Sequence, residues 1–294
     1  MNWNKISPAL AILAGVLWGG AGVFIRILSA YGMDSISILV VKSGIAALLM
    51  LGMILVKDPV LLKLSGRNLG YLILLALVGI TLLNYFYNSA VVQLSLSLTT
   101  VIFSLSVFMV PIISSWALDE HLSWRQYFYM GMAVLGCAMV SGLFDEGIVF
   151  SLIGVGLAFA SSICNAVYNV TSKKILNGGC HTYTLNFYAL GLGTLFAAPF
   201  ADWGVITSVI AQDPAVTLTV MISQSILMSM LPGILYIESV KRMNTATATA
   251  LEVGCEPPAS MIFGLLLFAE MPSPIMIAGL IIVVAALVLM SKRT

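Results

Sequence analysis

Long apolar runs alternate with short polar clusters along the whole chain, and each run is long enough to be a helix that crosses a bilayer. About 20 apolar residues suffice for one crossing. Ten stretches meet that length, at roughly 8–28, 35–56, 69–92, 97–118, 125–143, 149–171, 182–200, 215–237, 246–268 and 273–291. The connections between them are short. The longest are Lys57–Asn68 and Ala201–Pro214, and Trp203 in the second suits a membrane interface. The first run, Pro8 to Leu28, is long enough to span and is followed by more spans, so it reads as retained and not as a cleaved signal.

Composition narrows this to an all-α polytopic membrane protein. Apolar residues fill 60% of the 294 positions and charged ones 9%, against about 25% charged in soluble domains. No soluble fold of this size hides so much apolar surface. The formal net charge of +1 gives no basic patch for a nucleic acid. The four cysteines form no CxxC or Cys/His spacing, so neither disulfides nor a metal is expected, and no cofactor is implied. His121 and His181 stand near helix ends, where solvation or capping suits them.

Lys and Arg set the orientation. With the N-terminus in the cytoplasm, the inner side receives Lys5, Lys57, Lys63, Arg67, Arg125, Lys173, Lys174, Lys241, Arg242, Lys292 and Arg293. The outer side receives Arg26, with the acidic Asp34, Asp145, Glu146, Asp202, Asp213 and Glu270. Both termini are thus expected on the cytoplasmic face of the cell membrane.

The chain also repeats itself. Leu94-Ser-Leu-Ser-Leu-Thr-Thr100 answers Asn244-Thr-Ala-Thr-Ala-Thr-Ala250, and Asp119-Glu-His-Leu-Ser123 answers Ala269-Glu-Met-Pro-Ser273. Arg26-Ile-Leu lies opposite Lys174-Ile-Leu176 at a slightly shorter offset. This divides the chain into halves 1–147 and 148–294. Each half holds five spans, an odd number, so the two must be inserted in opposite senses. The charges agree. The loop after the third span lacks Lys and Arg, while its counterpart after the eighth has Lys241 and Arg242. Inverted repeats are typical of secondary transporters, whose halves exchange conformations around a central site.

Ten spans in two five-helix repeats, Leu17-Trp18-Gly19 in the first span, and Glu120 to Ser123 closing the fourth resemble the EamA family of the drug/metabolite transporter superfamily. The resemblance covers essentially the whole chain. It implies that spans 1–4 and 6–9 surround a central cavity while spans 5 and 10 brace the periphery. It also implies small metabolites as substrates, often amino acids moved outward. The sequence departs from the family pattern at Asn165, where a second tryptophan is expected, and at Pro111, which is out of register with Pro257-Pro258.

The chemistry centres on Glu252 and Glu256, one turn apart in the ninth span beside Pro257-Pro258. An ionisable group near the bilayer centre costs roughly 2.5–3.5 kcal/mol on insertion scales. Counted from Ala246, Glu256 lies about 15 Å deep, midway through a core of about 30 Å. Thr249 and Ser260 extend a polar stripe on the same face. The prolines free the carbonyls of Val253 and Gly254 and predict a helix break, which is tolerated where backbone lines a cavity. Two carboxylates so close resist ionising together, and one shared proton is the expected resting state. A structural reading, a neutral Glu held by neighbouring helices, stays open for each.

Lys42 enters the second span about 10 Å deep, where one small zwitterion could touch both it and Glu256. Alternatively it snorkels or pairs structurally. Asn84 and Asn88 in the third span, and Asn165 and Asn169 in the sixth, are each a turn apart and share a face. They either bond substrate in a cavity or bond neighbouring helices. Trp18, Tyr85, Phe103 and Tyr168 are candidate aromatic walls. Glu238 reads as an ordinary ion-pair partner of Lys241 and Arg242, and Glu120 and Glu270 as helix-end anchors or caps. Small residues at four-residue spacing, Ala11-Gly15-Gly19, Gly154-Ala158-Ser162 and Ala189-Gly193-Ala197, predict close helix packing.

The leading reading is a secondary transporter of a small amine-bearing metabolite, foremost an amino acid. Glu252 and Glu256 would take the ammonium or a proton, and Lys42 the carboxylate. A carrier of choline-like cations in an aromatic cage is the alternative. A membrane-embedded enzyme lacks its marks, such as HExxH or a Ser/His or Cys/His set, and an ATP-driven pump lacks a P-loop. Substrate, direction, coupling ion and the choice between monomer and homodimer stay open.

Overall fold

A computed structural model of the chain describes residues 3–64, 66–94, 96–140, 151–269 and 271–291, and every regular element among them is helical. Asp145, Glu146, Glu270, Lys292 and Arg293, which entered the charge argument, lie outside the described residues, as do the side chains of Lys5 and Arg67. Seven helical lengths are long and apolar enough to cross a bilayer: Ile6–Ala30, Ser35–Lys57, Asn68–Ala90, Leu152–Asn177, Pro214–Val240, Thr245–Phe268 and Pro274–Ser291. Thr182–Phe200 with Trp203–Gln212, bent by 100°, makes an eighth if the pair is one span. The two remaining predicted spans are helical but shorter. One is Leu96–Ser104 followed by Ser106–Ala117, and the other is Trp124–Val140, beyond which the described residues stop.

In chain order the helices are α1 (Trp3–Gly19), α2 (Ala21–Ala30), α3 (Ser35–Lys57), α4 (Gly66–Leu74), α5 (Leu83–Gln93), α6 (Leu96–Ser104), α7 (Ser106–Ala117) and α8 (Trp124–Val140). The second half gives α9 (Leu152–Asn177), α10 (Thr182–Ala197), α11 (Trp203–Gln212), α12 (Pro214–Ser225), α13 (Leu231–Val240), α14 (Thr245–Phe268) and α15 (Pro274–Ser291). A π-helical segment, Leu75–Leu82, joins α4 to α5, and another, Ile226–Met230, joins α12 to α13. Side-chain oxygens accept the unpaired N–H groups at several helix starts, as at Asp34 for α3, Ser151 for α9 and Asn244 for α14.

One predicted loop is helix instead. Within 201–214, Trp203–Gln212 folds as α11, begun by Asp202, which caps the Val205 N–H. Ile206 and Val209 then bury against Leu28, Met33 and Ile38. Trp203 remains 56% exposed at the helix start.

Packing pairs the helices in a regular way. α1 lies on α14 and α13, while α9 lies on α7, α6 and α5. α3 packs on α10, and α8 on α15. α8 and α15 approach through reciprocal glycines, since a Cβ on Gly136 would fall 2.9 Å from the Gly279 carbonyl and one on Gly279 2.8 Å from that of Gly136. The predicted first-span stripe also packs as expected. A Cβ on Gly15 would fall 2.1 Å from the Glu252 carbonyl oxygen, and one on Gly19 2.6 Å from that of Glu256. Absent side chains in α1 therefore set the spacing to the helix that carries both glutamates.

Candidate functional site

α14 is the centre of the site. Every residue from Thr245 to Cys255 is buried, the pattern of a helix enclosed on all sides. Its start is held from outside the helix. Asn244 accepts the N–H groups of Ala246 and Thr247, and the Glu120 carboxylate accepts the Thr245 N–H at 2.9 Å and its hydroxyl at 3.2 Å. Glu120 is thus the cap that its position suggested. The expected break does not occur, for α14 runs through Pro257 and Pro258 to Phe268. The Gly254 carbonyl, which Pro258 cannot satisfy, faces the Cys137 thiol at 4.0 Å, and the buried packing of α14 keeps the helix in line.

Glu252 is 5% exposed and Glu256 is half-buried. Their carboxylates lie within hydrogen-bonding reach of each other, close enough for one proton to bridge them. Tyr168 and Tyr236 are within electrostatic range of Glu252.

A buried polar ladder runs beside the pair. The Tyr236 hydroxyl donates to Asn169 Oδ1 and lies 2.9 Å from the Thr249 hydroxyl. Asn169 Nδ2 donates to Asn165 Oδ1 at 3.4 Å, and Asn165 Nδ2 donates to the Ser106 hydroxyl at 3.1 Å. Thr249 in turn donates to the Thr245 carbonyl at 3.0 Å. The ring of Tyr236 sits 5.7 Å from that of Trp18 and is stacked on Tyr168 at 6.5 Å, while Trp18 Nε1 donates to the Met228 carbonyl of the second π-segment. Four of the sequence candidates, Trp18, Tyr168, Asn169 and Glu252, therefore gather around Tyr236, with Asn165 joined through Asn169 and Glu256 through Glu252.

Tyr236 itself was missed. Between Leu235 and Ile237 it reads as one more packing aromatic. The available signal was its repeat counterpart, which falls between Tyr85 and Asn88. Tyr236→Phe leaves the Asn169 carbonyl oxygen without its donor, a cost of about 1–3 kcal/mol for a buried acceptor. A lower melting temperature of the purified protein checks this.

The other candidates lie elsewhere. Phe103 is buried and meets Tyr87 edge-on at 5.4 Å. Asn84 Nδ2 donates to the Ile80 carbonyl of its own helix at 2.7 Å, and Asn88 is half-buried with no hydrogen bond among the described residues. Tyr85 is 51% exposed. Lys42 is half-buried on α3, which packs on α10 and α12 and not closely on α14. It makes no ion pair or hydrogen bond among the described residues.

At one end of the bundle a recess of about 500 Å³ is lined by Glu120, Lys173, Lys241, Arg242 and Asn244, among others. The Lys173 ammonium donates to the Met243 carbonyl at 2.9 Å and lies 3.9 Å from Glu120. Glu238 pairs with Arg242 as read from the spacing, and also accepts the Thr182 hydroxyl at 2.6 Å. His181 caps α10 through Nδ1, accepting the Tyr183 N–H. Burial, and then nearby Lys241, hold its imidazole below the ordinary histidine value, keeping that nitrogen free to accept. Arg26 and Phe268, which the charge pattern puts on the outer side, meet as cation and ring at 4.8 Å.

The model of the EamA-like transporter family matches residues 5–142 and again 152–292. The chain belongs to the EamA-like transporter family. Among the relatives of this EamA-like chain is a protein named "Probable terminal-alkyne amino-acid exporter" from Streptantibioticus cattleyicolor, 23% identical over 99% of this chain and 95% of the relative. An "Uncharacterized transporter" of Archaeoglobus fulgidus is 25% identical over 99% of both chains. The "Pseudopaline exporter CntI" of Pseudomonas aeruginosa is 23% identical over 98% of this chain and 96% of its own. A protein known from a crystal structure superposes with a TM-score of 0.80 over 98% of each chain at 15% identity, which shows that the EamA-like chain shares its fold.

Proposed function

We propose that this EamA-like protein is a secondary transporter of a small amine-bearing metabolite, foremost an amino acid, coupled to protons through Glu252 and Glu256. The observation that carries the reading is a pair of carboxylates within proton-sharing reach on a helix enclosed by the rest of the bundle. Such groups are costly in a membrane interior and mark ion or proton pathways.

In this reading the chain crosses the cell membrane ten times, with both termini in the cytoplasm, as two inverted halves that rock around the site. Several observations support it. Exchanging the halves maps α1 on α14 to α9 on α7 and α6, and α1 on α13 to α9 on α5. The two π-segments fall in the third and eighth spans, which are counterparts. The family model matches once on each side of residue 147. Two relatives carry the name exporter, one of them for an amino acid.

A carrier of organic cations is the second reading, favoured by the rings of Trp18, Tyr168 and Tyr236 beside the glutamates. A ligand-induced thermal shift screen with amino acids, polyamines and quaternary amines at two pH values tests both. The proposal expects stabilisation by amino acids that differs between the two pH values in the parent and is the same at both in Glu256→Gln. Stabilisation by quaternary amines alone, retained in Lys42→Met, selects the second reading, and no shift with any class contradicts both.

A further inference from the structure

Gln224 is a buried polar side chain that the glutamate site leaves unexplained. It stands at the end of α12, two residues before the π-segment, and is 1% exposed. Neither its Oε1 nor its Nε2 has a hydrogen-bond partner among the described residues. That is uncommon, because folded chains pair the large majority of their buried polar side-chain atoms. Lys42 presents the same problem with a charge, being half-buried in a span and without a partner among the described residues.

The two share an interface. α3 packs on α12, and Ile38, Val41 and Ile45 of α3 cluster with Val220 and Met221 of α12. Lys42 follows Ile38 by four positions and precedes Ile45 by three. Gln224 follows Val220 by four and Met221 by three. Helical spacing puts both side chains on the faces these apolar residues define. The neighbours of Lys42 on its own helix, Ile38, Leu39 and Ala46, are buried, so it lies on the packed side of α3.

We infer that Lys42 and Gln224 form a headgroup site for an α-amino acid at the α3–α12 interface. The Lys42 ammonium meets the substrate carboxylate, and Gln224 Nε2 donates to the same carboxylate. Gln224 Oε1 accepts an N–H from the substrate ammonium. An amide supplies donor and acceptor on one side chain, and Lys supplies the charge that a lone amide lacks. A simple organic cation meets only repulsion at Lys42, and a plain carboxylic acid leaves Oε1 unpaired, so the site requires both groups together. The inference rests on the transporter reading, and it moves the carboxylate end from the neighbourhood of Glu256 to α3. The glutamate pair is then left to carry the proton.

The test uses the purified full-length protein. The twenty proteinogenic L-amino acids are screened singly by thermal shift, and the most stabilising one is compared with its decarboxylated amine and its deaminated acid. The amine and the acid are expected to bind at least about tenfold more weakly than the amino acid. Gln224→Leu and Lys42→Met each weaken binding by about tenfold or more. Gln224→Leu also melts no lower than the parent without amino acid, because an apolar side chain of similar size removes an unpaired buried amide. Three results overturn the inference: no amino acid stabilises the parent, both variants bind as the parent does, or Gln224→Leu melts lower with its binding intact. Amine binding equal to that of the amino acid, lost only in Glu256→Gln, also overturns it while leaving the transporter reading in place. That reading fails separately, if proteoliposomes exchange neither amino acids nor amines.

Discussion

Gly15→Ala, the addition of one methyl group, is expected to destabilise the protein and impair transport, although alanine is the better helix former. Glycine to alanine in a helix interior gains about 1 kcal/mol from propensity. Here the new Cβ would fall 2.1 Å from the Glu252 carbonyl oxygen and 2.9 Å from Cys255 Cβ. A backbone oxygen cannot rotate aside, so α1 and α14 must separate. Overpacking of this kind costs about 1–3 kcal/mol, which outweighs the gain. Gly15→Leu forces a wider separation and is expected to yield aggregated protein. Gly22→Ala is the matched control, since nothing lies within 4 Å of its Cβ position, and it should melt at or above the parent. Thermal melting of the three variants decides the matter, and a Gly15→Ala protein as stable as Gly22→Ala would refute the close packing of α1 on α14.

Glu256→Gln is expected to separate substrate exchange from proton coupling. The amide keeps the shape and hydrogen-bonding capacity of a protonated carboxyl but cannot release a proton. In proteoliposomes the variant should still exchange internal for external amino acid, because exchange needs no net proton movement. It should lose accumulation driven by a pH gradient, by tenfold or more on the scale of a missing essential proton carrier. Glu252→Gln should behave alike if the two carboxyls act as one titrating pair. Accumulation that follows the pH gradient equally in parent and variants would remove the pair from the mechanism.

Several of these features are legible in the sequence because they depend on composition at fixed spacing. Apolar length alone marks the crossing helices. Glu238 and Arg242 pair because they are four residues apart on one helix, and Ala11-Gly15-Gly19 packs closely because a stripe of small residues leaves nothing between backbones. Glu120 caps α14 across the fold, yet its place at a helix end was enough to suggest the role.

What was not legible depends on tertiary context. A π-segment has the same apolar composition as the α-helix around it, so Leu75–Leu82 and Ile226–Met230 leave no local mark. Pro257 and Pro258 predict a break that enclosure of α14 prevents. The α11 helix hides in a stretch that reads as a loop, since its apolar face is covered by residues from the first half. Depth along each span puts Lys42 and Glu256 at similar levels, but depth says nothing of azimuth, and the packing of α3 on α10 and α12 is not written in it. Tyr236 and Gln224 matter through what surrounds them, one bonded to other helices and the other to nothing.

The most direct measurement is proton movement itself. Proteoliposomes loaded with a pH-sensitive dye receive a mixture of L-amino acids on the outside with no pH gradient imposed. Internal pH is expected to change with the parent protein and to stay constant with the Glu252→Gln/Glu256→Gln double variant. Amino-acid transport by the parent with no proton movement, or the same pH change in both proteins, would contradict it.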